Sequence, residues 1–101
     1  MTYKHLYDPV ALIEYREAVE WYAERSLPAA ENFVTAITNS IEAICKMPYR
    51  SRNIYANFRE VSLKRFPYYI VYMIDDSHKI IIITSIYHHK RNPATKYNKG
   101  V

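Results

Sequence analysis

Glycine is almost absent from this chain, since Gly100 is the one glycine among 101 residues. The P-loop and the dinucleotide fingerprint each need several glycines, because their backbones approach phosphates closely. The single cysteine, Cys45, likewise rules out an internal disulfide and any zinc site with several cysteine ligands. The composition therefore excludes these classes of site, and we expect a domain without a cofactor or a bound metal.

Long apolar segments are also missing, because no run approaches the roughly 20 residues of a membrane-spanning helix. The first nine residues lack the apolar stretch of a secretory signal peptide, so we expect a cytoplasmic protein without a membrane partner. With 50% apolar and 24% charged residues, the chain resembles an ordinary globular protein. We expect one domain over residues 1–101, with about 94–101 as a loosely ordered tail.

The charges are divided unevenly along the chain. Residues 1–45 hold three basic and seven acidic residues, a net charge of −4, whereas residues 46–101 hold eleven basic and three acidic residues, a net charge of +8. This asymmetry indicates a surface for a polyanion or an acidic protein, built from the second part of the chain. Solvated charges that sort in this way without any partner are the alternative interpretation.

Hydrophobic periodicity predicts a short strand and then two helices. Residues 3–7 alternate between aromatic and polar side chains, as in a strand. Asp8 and Pro9 then supply the N-cap carboxylate and the first-turn proline of a helix that reaches residue 25. A second helix with a clean 3–4 apolar stripe runs from about residue 27 to before residue 48, and the short link predicts an antiparallel hairpin. Cys45 belongs to this stripe, so we expect a buried and inert thiol.

Two large apolar side chains interrupt the acidic side of the first helix. Ile13 and Trp21 fall among Glu14, Glu17, Glu20 and Glu24, on the side opposite the apolar stripe. We expect the second helix or the N-terminal strand to cover Ile13 and Trp21, and a partner-binding patch is the alternative.

The rest of the chain predicts a loop and three strands. Residues 48–57 show no periodicity and are predicted to form a loop. Residues 58–66 alternate as a half-buried strand, 68–74 are apolar on both faces, and 79–89 form the most β-prone segment. The tight turn between the last two strands predicts antiparallel pairing. The fold class is therefore α+β with the order β-α-α-β-β-β, an antiparallel sheet with a helical hairpin packed on one face.

The order and spacing of several segments resemble the RelE/ParE superfamily, the toxins of bacterial type II toxin–antitoxin modules that are often called plasmid stabilisation proteins. The resemblance covers residues 8–93 and rests on Asp8-Pro9, Ala18-Val19-Glu20-Trp21-Tyr22, Ala30 with Phe33 and Ile37, Pro48, the segment from Arg65 to Tyr72, Asp75-Asp76, and His88-His89-Lys90-Arg91-Asn92-Pro93. It implies a toxin that inhibits growth and that a cognate antitoxin neutralises with an acidic or amphipathic tail.

The resemblance leaves two kinds of target open, because one fold can host several functions. ParE-like members inhibit DNA gyrase and are not thought to be nucleases, whereas RelE-like members cut mRNA on the ribosome. RelE-like members carry two lysines and an arginine at positions that are Glu60, Ser62 and Tyr69 here. We therefore expect the chain to be closer to the ParE-like members and to act as an inhibitor of DNA gyrase. A RelE-like ribonuclease and an inactive remnant that binds only its antitoxin are the alternatives, so whether the chain is an enzyme stays open.

Candidate site residues cluster in the basic part of the chain. If the chain is a metal-independent ribonuclease, the candidate catalytic residues are His88, His89, Arg59, Arg65 and Arg91. Histidine titrates near neutral pH and serves as an acid or a base, and arginine binds two phosphate oxygens at once. Strand alternation puts His88 and His89 on opposite faces, so only one of them can face a site. A histidine that only caps the strand end or pairs with a neighbouring acid is the alternative.

A second set of candidates concerns partner binding. Arg59 and Arg65 share a parity on the predicted 58–66 strand, and we expect them to line one basic strip. The residues predicted to bind the antitoxin or the target are Arg59, Arg65, Lys90, Arg91 and Trp21.

Overall fold

The computed structural model describes residues 2–90, in which two helices pack on one face of a five-stranded sheet. The elements are β1 (Lys4–Tyr7), α1 (Pro9–Ala23), α2 (Leu27–Lys46), β2 (Arg52–Tyr55), β3 (Phe58–Ser62), β4 (Tyr68–Asp75) and β5 (Ile80–His88). The predicted α+β class and the helical hairpin are confirmed. Within residues 2–90, neither helix has the length and apolar character needed to cross a membrane.

Side-chain caps start both helices where the sequence predicts them. The Val10 N–H donates to Asp8 Oδ1 at 2.9 Å, and the Ala29 N–H donates to Ser26 Oγ at 3.2 Å. Each cap satisfies a backbone donor that the first helical turn leaves without a partner, and a proline occupies the first turn of each helix.

The core lies between α2 and the centre of the sheet. The predicted stripe of α2 is buried against the apolar side chains of β4 and β5, and these core residues include Phe33, Ile37, Ile41, Ile44, Cys45, Ile70, Tyr72, Ile81, Ile83 and Ile86. The Cys45 thiol is buried as predicted, and this burial raises its pKa. The Tyr72 hydroxyl donates to the Pro48 carbonyl at 2.6 Å, which ties the end of the helical hairpin to the sheet.

The sheet is mixed, which corrects the prediction of a wholly antiparallel sheet. Its strand order is β1-β5-β4-β3-β2, and β1 pairs in parallel with β5 from Lys4 opposite Ile80 to Tyr7 opposite Ile83. The helical hairpin carries the chain from one edge of the sheet to the other, so no local turn signals this pairing. The prediction of a loop over 48–57 was also wrong in part, because the short and mostly exposed strand β2 lies within it.

A β-bulge in β5 changes which residues share a face. Val71 pairs with Ser85 and Tyr72 with Ile83, so Thr84 is an extra residue in β5. Ile83 and Ile86 therefore both pack in the core, although strict alternation assigns them to opposite faces. Strict alternation therefore does not hold across Thr84, and the residues before the bulge cannot be assigned to a face from those after it.

Strand β3 is shorter than predicted. It ends at Ser62, whereas the alternation in the sequence extends to residue 66. Arg65 lies beyond the strand in a turn with φ 71°, a left-handed conformation in which a strand cannot continue. Arg59 and Arg65 therefore do not share a parity on one strand, and the predicted strip along that strand was wrong.

Glu14 is buried on α1, which corrects its predicted place on the exposed acidic side. Its Oε1 accepts the Ser85 hydroxyl at 2.9 Å and the Ile86 N–H at 3.0 Å, and the residue is only 8% exposed. Strand β1 stops pairing with β5 at Ile83. Beyond that point the Glu14 carboxylate takes the place of the missing strand as an acceptor for β5.

Candidate functional site

The sheet face opposite the helices carries a hydrogen-bonded group of side chains around Glu60. Tyr87 donates its hydroxyl proton to Glu60 Oε1 at 2.7 Å, and Arg52 Nη2 donates to Glu60 Oε2 at 3.1 Å. The Glu60 side chain is only 6% exposed, so Arg52 compensates a carboxylate that is almost fully removed from water. We define the Glu60 cluster as Arg52, Glu60, Ser62, Tyr69, Tyr87 and His89, which four strands and the residue after β5 contribute.

His89 extends the Glu60 cluster toward solvent. Its imidazole packs against the Tyr69 ring with centroids 4.2 Å apart, and Tyr69 lies 5.2 Å from the Tyr87 ring. His89 Nε2 lies 3.5 Å from Ser62 Oγ, and the His89 N–H donates to the Pro67 carbonyl at 2.8 Å. The backbone of His89 is therefore fixed while its exposed ring is accessible to a ligand.

A groove of about 1230 Å³ lies between α2 and the β3 side of the sheet. Five cationic residues line it, and we call it the basic groove: Lys46, Arg50, Arg52, Lys64 and Arg65. Glu60 is the one acidic residue in this lining. The uneven charge distribution in the sequence predicted a basic surface in this part of the chain. It did not identify Lys46, Arg50, Arg52 and Lys64 as neighbours, because they come from four different segments.

A family model described as the ParE toxin of the type II toxin–antitoxin system, parDE, matches residues 6–93. This chain belongs to the ParE toxin family. The match spans most of the chain and includes every helix and strand except the first two residues of β1.

Solved structures of toxin–antitoxin systems share the fold of this ParE-family toxin. A chain of the chromosomal ParDE system from P. aeruginosa has a TM-score of 0.72 at 15% identity, covering 86% of this chain and 96% of that chain. A chain of the RelBE2 complex from Mycobacterium tuberculosis has a TM-score of 0.63 at 16% identity, covering 87% and 99%. An E. coli RelE variant in complex with an antitoxin RelBc peptide has a TM-score of 0.54 at 18% identity, covering 100% and 96%. No curated protein sequence matches the chain well enough to count as a relative.

The two histidines at the end of β5 lie on opposite faces of the toxin's sheet, as predicted. The His88 ring packs edge-on against Tyr68, with centroids 5.3 Å apart, and Tyr68 in turn packs against the core residue Phe33. His88 Nδ1 accepts the Lys90 N–H at 3.1 Å. His88 therefore borders the core, whereas His89 belongs to the Glu60 cluster.

The predicted arginines lie in different surroundings in the toxin. Arg59 Nη1 donates to the carbonyls of Tyr49 at 3.2 Å and Ser51 at 2.6 Å, and its guanidinium lies 5.1 Å from the centre of the Tyr49 ring. Arg59 thus fastens the segment between α2 and β2. Arg65 is exposed and lines the basic groove. Arg91 lies outside the described residues. So do Asn92 and Pro93, which end the last segment of the resemblance, and the expected tail at 94–101.

Trp21 and Ile13 are exposed on α1, so the prediction that the hairpin or β1 covers them was wrong. Ile13 is 56% exposed and Trp21 is 49% exposed. The Arg25 guanidinium stacks 3.7 Å above the Trp21 ring and donates to the Trp21 carbonyl at 2.7 Å. Strands β1 and β5 and helix α2 all contact other sides of α1, which leaves this side to solvent.

Proposed function

We propose that this toxin is a ParE-like growth inhibitor that acts on DNA gyrase by binding and that a cognate antitoxin neutralises it. The observation that supports a binding mode of action is the chemistry of the Glu60 cluster. The resemblance gives RelE-like members two lysines and an arginine at the positions of Glu60, Ser62 and Tyr69. Those cations would stabilise a phosphorane, whereas a carboxylate at the first position opposes the approach of a phosphodiester.

The pairing of Arg52 supports the same proposal. Its guanidinium donates to Glu60 Oε2 at 3.1 Å, so a carboxylate already engages this cation. Strong stabilisation of a phosphate transition state requires cations that are directed at the reacting atoms. The exposed imidazole of His89 and the aromatic rings of the Glu60 cluster suit contact with a protein surface.

The antitoxin part of the proposal rests on family membership. The ParE family model is described as the toxin of a type II toxin–antitoxin system. The ParDE and RelBE structures of the same fold are described as toxin–antitoxin systems or complexes. Coexpression with the cognate antitoxin should restore the growth of cells that make this toxin.

A test of the target combines growth, supercoiling and transcript measurements. We expect expression of the full chain to arrest growth, purified toxin to reduce supercoiling by gyrase, and ribosome-bound mRNA to stay intact. His89→Ala should change gyrase inhibition by less than about tenfold, because a binding surface spreads its energy over several side chains. Arrest with full supercoiling activity and cleaved transcripts would overturn the proposal.

His89 favours a ribosome-dependent mRNA endoribonuclease as a second candidate function. Its exposed imidazole, 3.5 Å from Ser62 Oγ, has the chemistry of a general acid or base. A nuclease would lose activity in His89→Ala but keep it in His88→Ala, since His88 borders the core. A chain that neither arrests growth nor cuts RNA would instead be a remnant that binds only its antitoxin.

A further inference from the structure

Strand β1 leaves one edge of the sheet open. It is the first strand in the order β1-β5-β4-β3-β2, so a neighbouring strand covers only its β5 side. The N–H groups of Lys4 and Asp8 donate to carbonyls on that side, at 3.0 and 2.9 Å. Alternate residues of a strand direct their backbone groups to opposite sides, so His5 and Tyr7 present their N–H and carbonyl groups to the open edge.

The side chains of β1 divide between the two faces of the sheet. Tyr7 stacks on Tyr15 of α1 with ring centroids 5.8 Å apart, which places it on the face that the helices cover. Leu6 lies on the other face, beside Ile82 of β5, and is 57% exposed. Open edges of monomeric proteins are usually protected by charges, by proline or by a covering segment. The open edge of β1 instead carries apolar surface that pairing with another strand would bury.

The sequence around β1 is self-complementary about Leu6. In an antiparallel pair centred on this residue, positions at equal distances from Leu6 lie opposite each other, so Lys4 faces Asp8 of a second copy and His5 faces its Tyr7. Cross-strand pairs of opposite charge and of aromatic rings stabilise a sheet. Within residues 2–90, neither Lys4 nor Asp8 takes part in an ion pair. Both charges therefore have a partner in the second copy.

The backbone groups fit the same register. His5 and Tyr7, whose N–H and carbonyl groups face the open edge, form the hydrogen-bonded pairs of this arrangement, with about four backbone bonds in total. Leu6 and its copy form the closer, non-hydrogen-bonded pair, with Cα atoms about 4.5 Å apart. The two exposed leucines thus meet where cross-strand side chains approach most closely.

From these observations we infer that the free toxin forms a symmetric dimer, in which β1 pairs antiparallel with β1 of a second copy about a twofold axis at Leu6. The two five-stranded sheets then become one continuous sheet. The same surface is used on both copies, so the contact closes on itself and does not extend into a fibre. This inference goes beyond the proposed function and does not depend on it.

The dimer leaves the basic groove of each copy accessible. Strands β1 and β2 lie at opposite edges of the sheet, and the groove lies between α2 and the β3 side. Each dimer therefore presents two grooves that point away from the twofold axis. One dimer can engage two partner molecules at the same time.

Sedimentation of the full toxin over a range of concentrations is the first test. Strand β1 has only four residues, and so short a contact covers less than the roughly 1,200 Å² of a stable interface. We therefore expect a reversible dimer with a dissociation constant between about 1 μM and 1 mM. A toxin that stays monomeric at about 1 mM would overturn the inference.

Matched substitutions locate the interface. Leu6→Lys puts two like charges opposite each other at the axis and should weaken the dimer at least about tenfold. Leu6 is exposed in the single copy, so the variant should keep the unfolding midpoint of dilute unmodified toxin. Leu27→Lys makes the same change at another exposed leucine, at the start of α2, and should alter the dissociation constant less than about twofold. Equal effects of the two substitutions would overturn the inference.

A disulfide crosslink measures the register. Leu6→Cys places two thiols at the axis, where Cα atoms about 4.5 Å apart lie within disulfide range. Lys4→Cys, on the same face of the strand, places them about 14 Å apart, which a disulfide cannot span. Under mild oxidation we expect Leu6→Cys to crosslink, and Lys4→Cys and the unmodified toxin, whose Cys45 is buried, not to. Failure of Leu6→Cys to crosslink, or equal crosslinking by Lys4→Cys, would overturn the inference.

Hydrogen exchange in the unmodified toxin separates a second copy from other occupants of the edge. The N–H groups of His5 and Tyr7 should exchange more slowly as the toxin concentration rises, whereas those of β2 at the opposite edge should not change. Slow exchange at every concentration would assign the edge to another segment of the same chain. Slow exchange only after the antitoxin is added would assign it to the antitoxin. Either result would overturn the inference.

Discussion

At the scale of single residues, Glu14 shows how a charged side chain can complete a sheet. Its carboxylate oxygen accepts the Ser85 hydroxyl and the Ile86 N–H, which lie more than 70 positions away in the sequence. A buried N–H that loses its acceptor costs about 1–3 kcal/mol, because water does not replace the lost partner. The first helix is therefore joined to β5 by a polar contact as well as by apolar packing.

Substitutions of Glu14 should reveal this contact in the free energy of unfolding. We expect Glu14→Ala to lower it by about 2–4 kcal/mol, since both the Ser85 hydroxyl and the Ile86 N–H lose their acceptor. Glu14→Gln keeps an acceptor oxygen and should cost less than half as much. Glu17→Ala, on the exposed side of the same helix, should change the free energy of unfolding, measured by urea titration, by no more than about 0.5 kcal/mol. Equal losses for Glu14→Ala and Glu17→Ala would contradict this account.

Glu14 also marks a limit of sequence reasoning. Its position among Glu17, Glu20 and Glu24 indicates an exposed acidic side, and the periodicity of α1 gives no reason to treat it differently. The burial of Glu14 depends on where β1 stops and on the bulge at Thr84, both of which are tertiary features. Helix starts, in contrast, depend on adjacent residues such as Asp8 and Pro9, and they were predicted correctly.

At the scale of elements, the turn between β4 and β5 connects the first strand to the rest of the sheet. The Asp76 carboxylate accepts hydrogen bonds from the Tyr3 hydroxyl and from Lys79 Nζ, and these contacts lower the pKa of Asp76. The His78 N–H and the Ser77 hydroxyl lower the pKa of Asp75 in the same way. The turn thus holds β1 beside β5 through side chains as well as through the parallel backbone pairing.

The acid sensitivity of the fold should depend on these two carboxylates. Their pKa values in the folded chain lie below the ordinary value of 3.8, so they stabilise the fold above that pH. This stabilisation is lost as the pH falls below 3.8 and through the folded-state values. Asp76→Asn and Tyr3→Phe should both flatten the acid limb of a plot of unfolding midpoint against pH. Glu42→Gln, an exposed change on α2, should leave that limb as it is in the unmodified chain.

Strands were predicted correctly where nearby residues carry a clear apolar pattern, and missed where they do not. The apolar run of β4 and the β-prone run of β5 were predicted nearly to their ends, because buried strands in the middle of a sheet carry continuous apolar sequence. Strand β2 is an edge strand of four mostly exposed residues, and alternation cannot reveal a strand without a buried face. The parallel pairing of β1 is a consequence of the hairpin that crosses the sheet, so it too has no local signal.

At the scale of the whole molecule, the charge distribution identified the correct region but not the correct set of residues. The basic second part of the chain does build the basic groove. Of the arginines predicted there, Arg65 lines the groove, whereas Arg59 fastens the segment that follows α2. The remaining groove cations come from α2, the segment after it, β2 and the turn beyond β3, and only the fold brings these segments together.

Repulsion among the cations of the basic groove should lower the thermal stability of the free toxin. Lys64 lines the same groove as Lys46 and Arg50, which come from distant segments of the chain, so the repulsion between Lys64 and these two cations is present only when the chain is folded. Lys64→Gln should therefore raise the midpoint of thermal unfolding at low ionic strength. The gain should disappear near 1 M salt, where the Debye length is about 3 Å.

Lys4→Gln is the matched control, because it removes the same charge from the acidic part of the chain at the opposite edge of the sheet. It should leave the midpoint unchanged or lower it, and a rise equal to that of Lys64→Gln would contradict the argument.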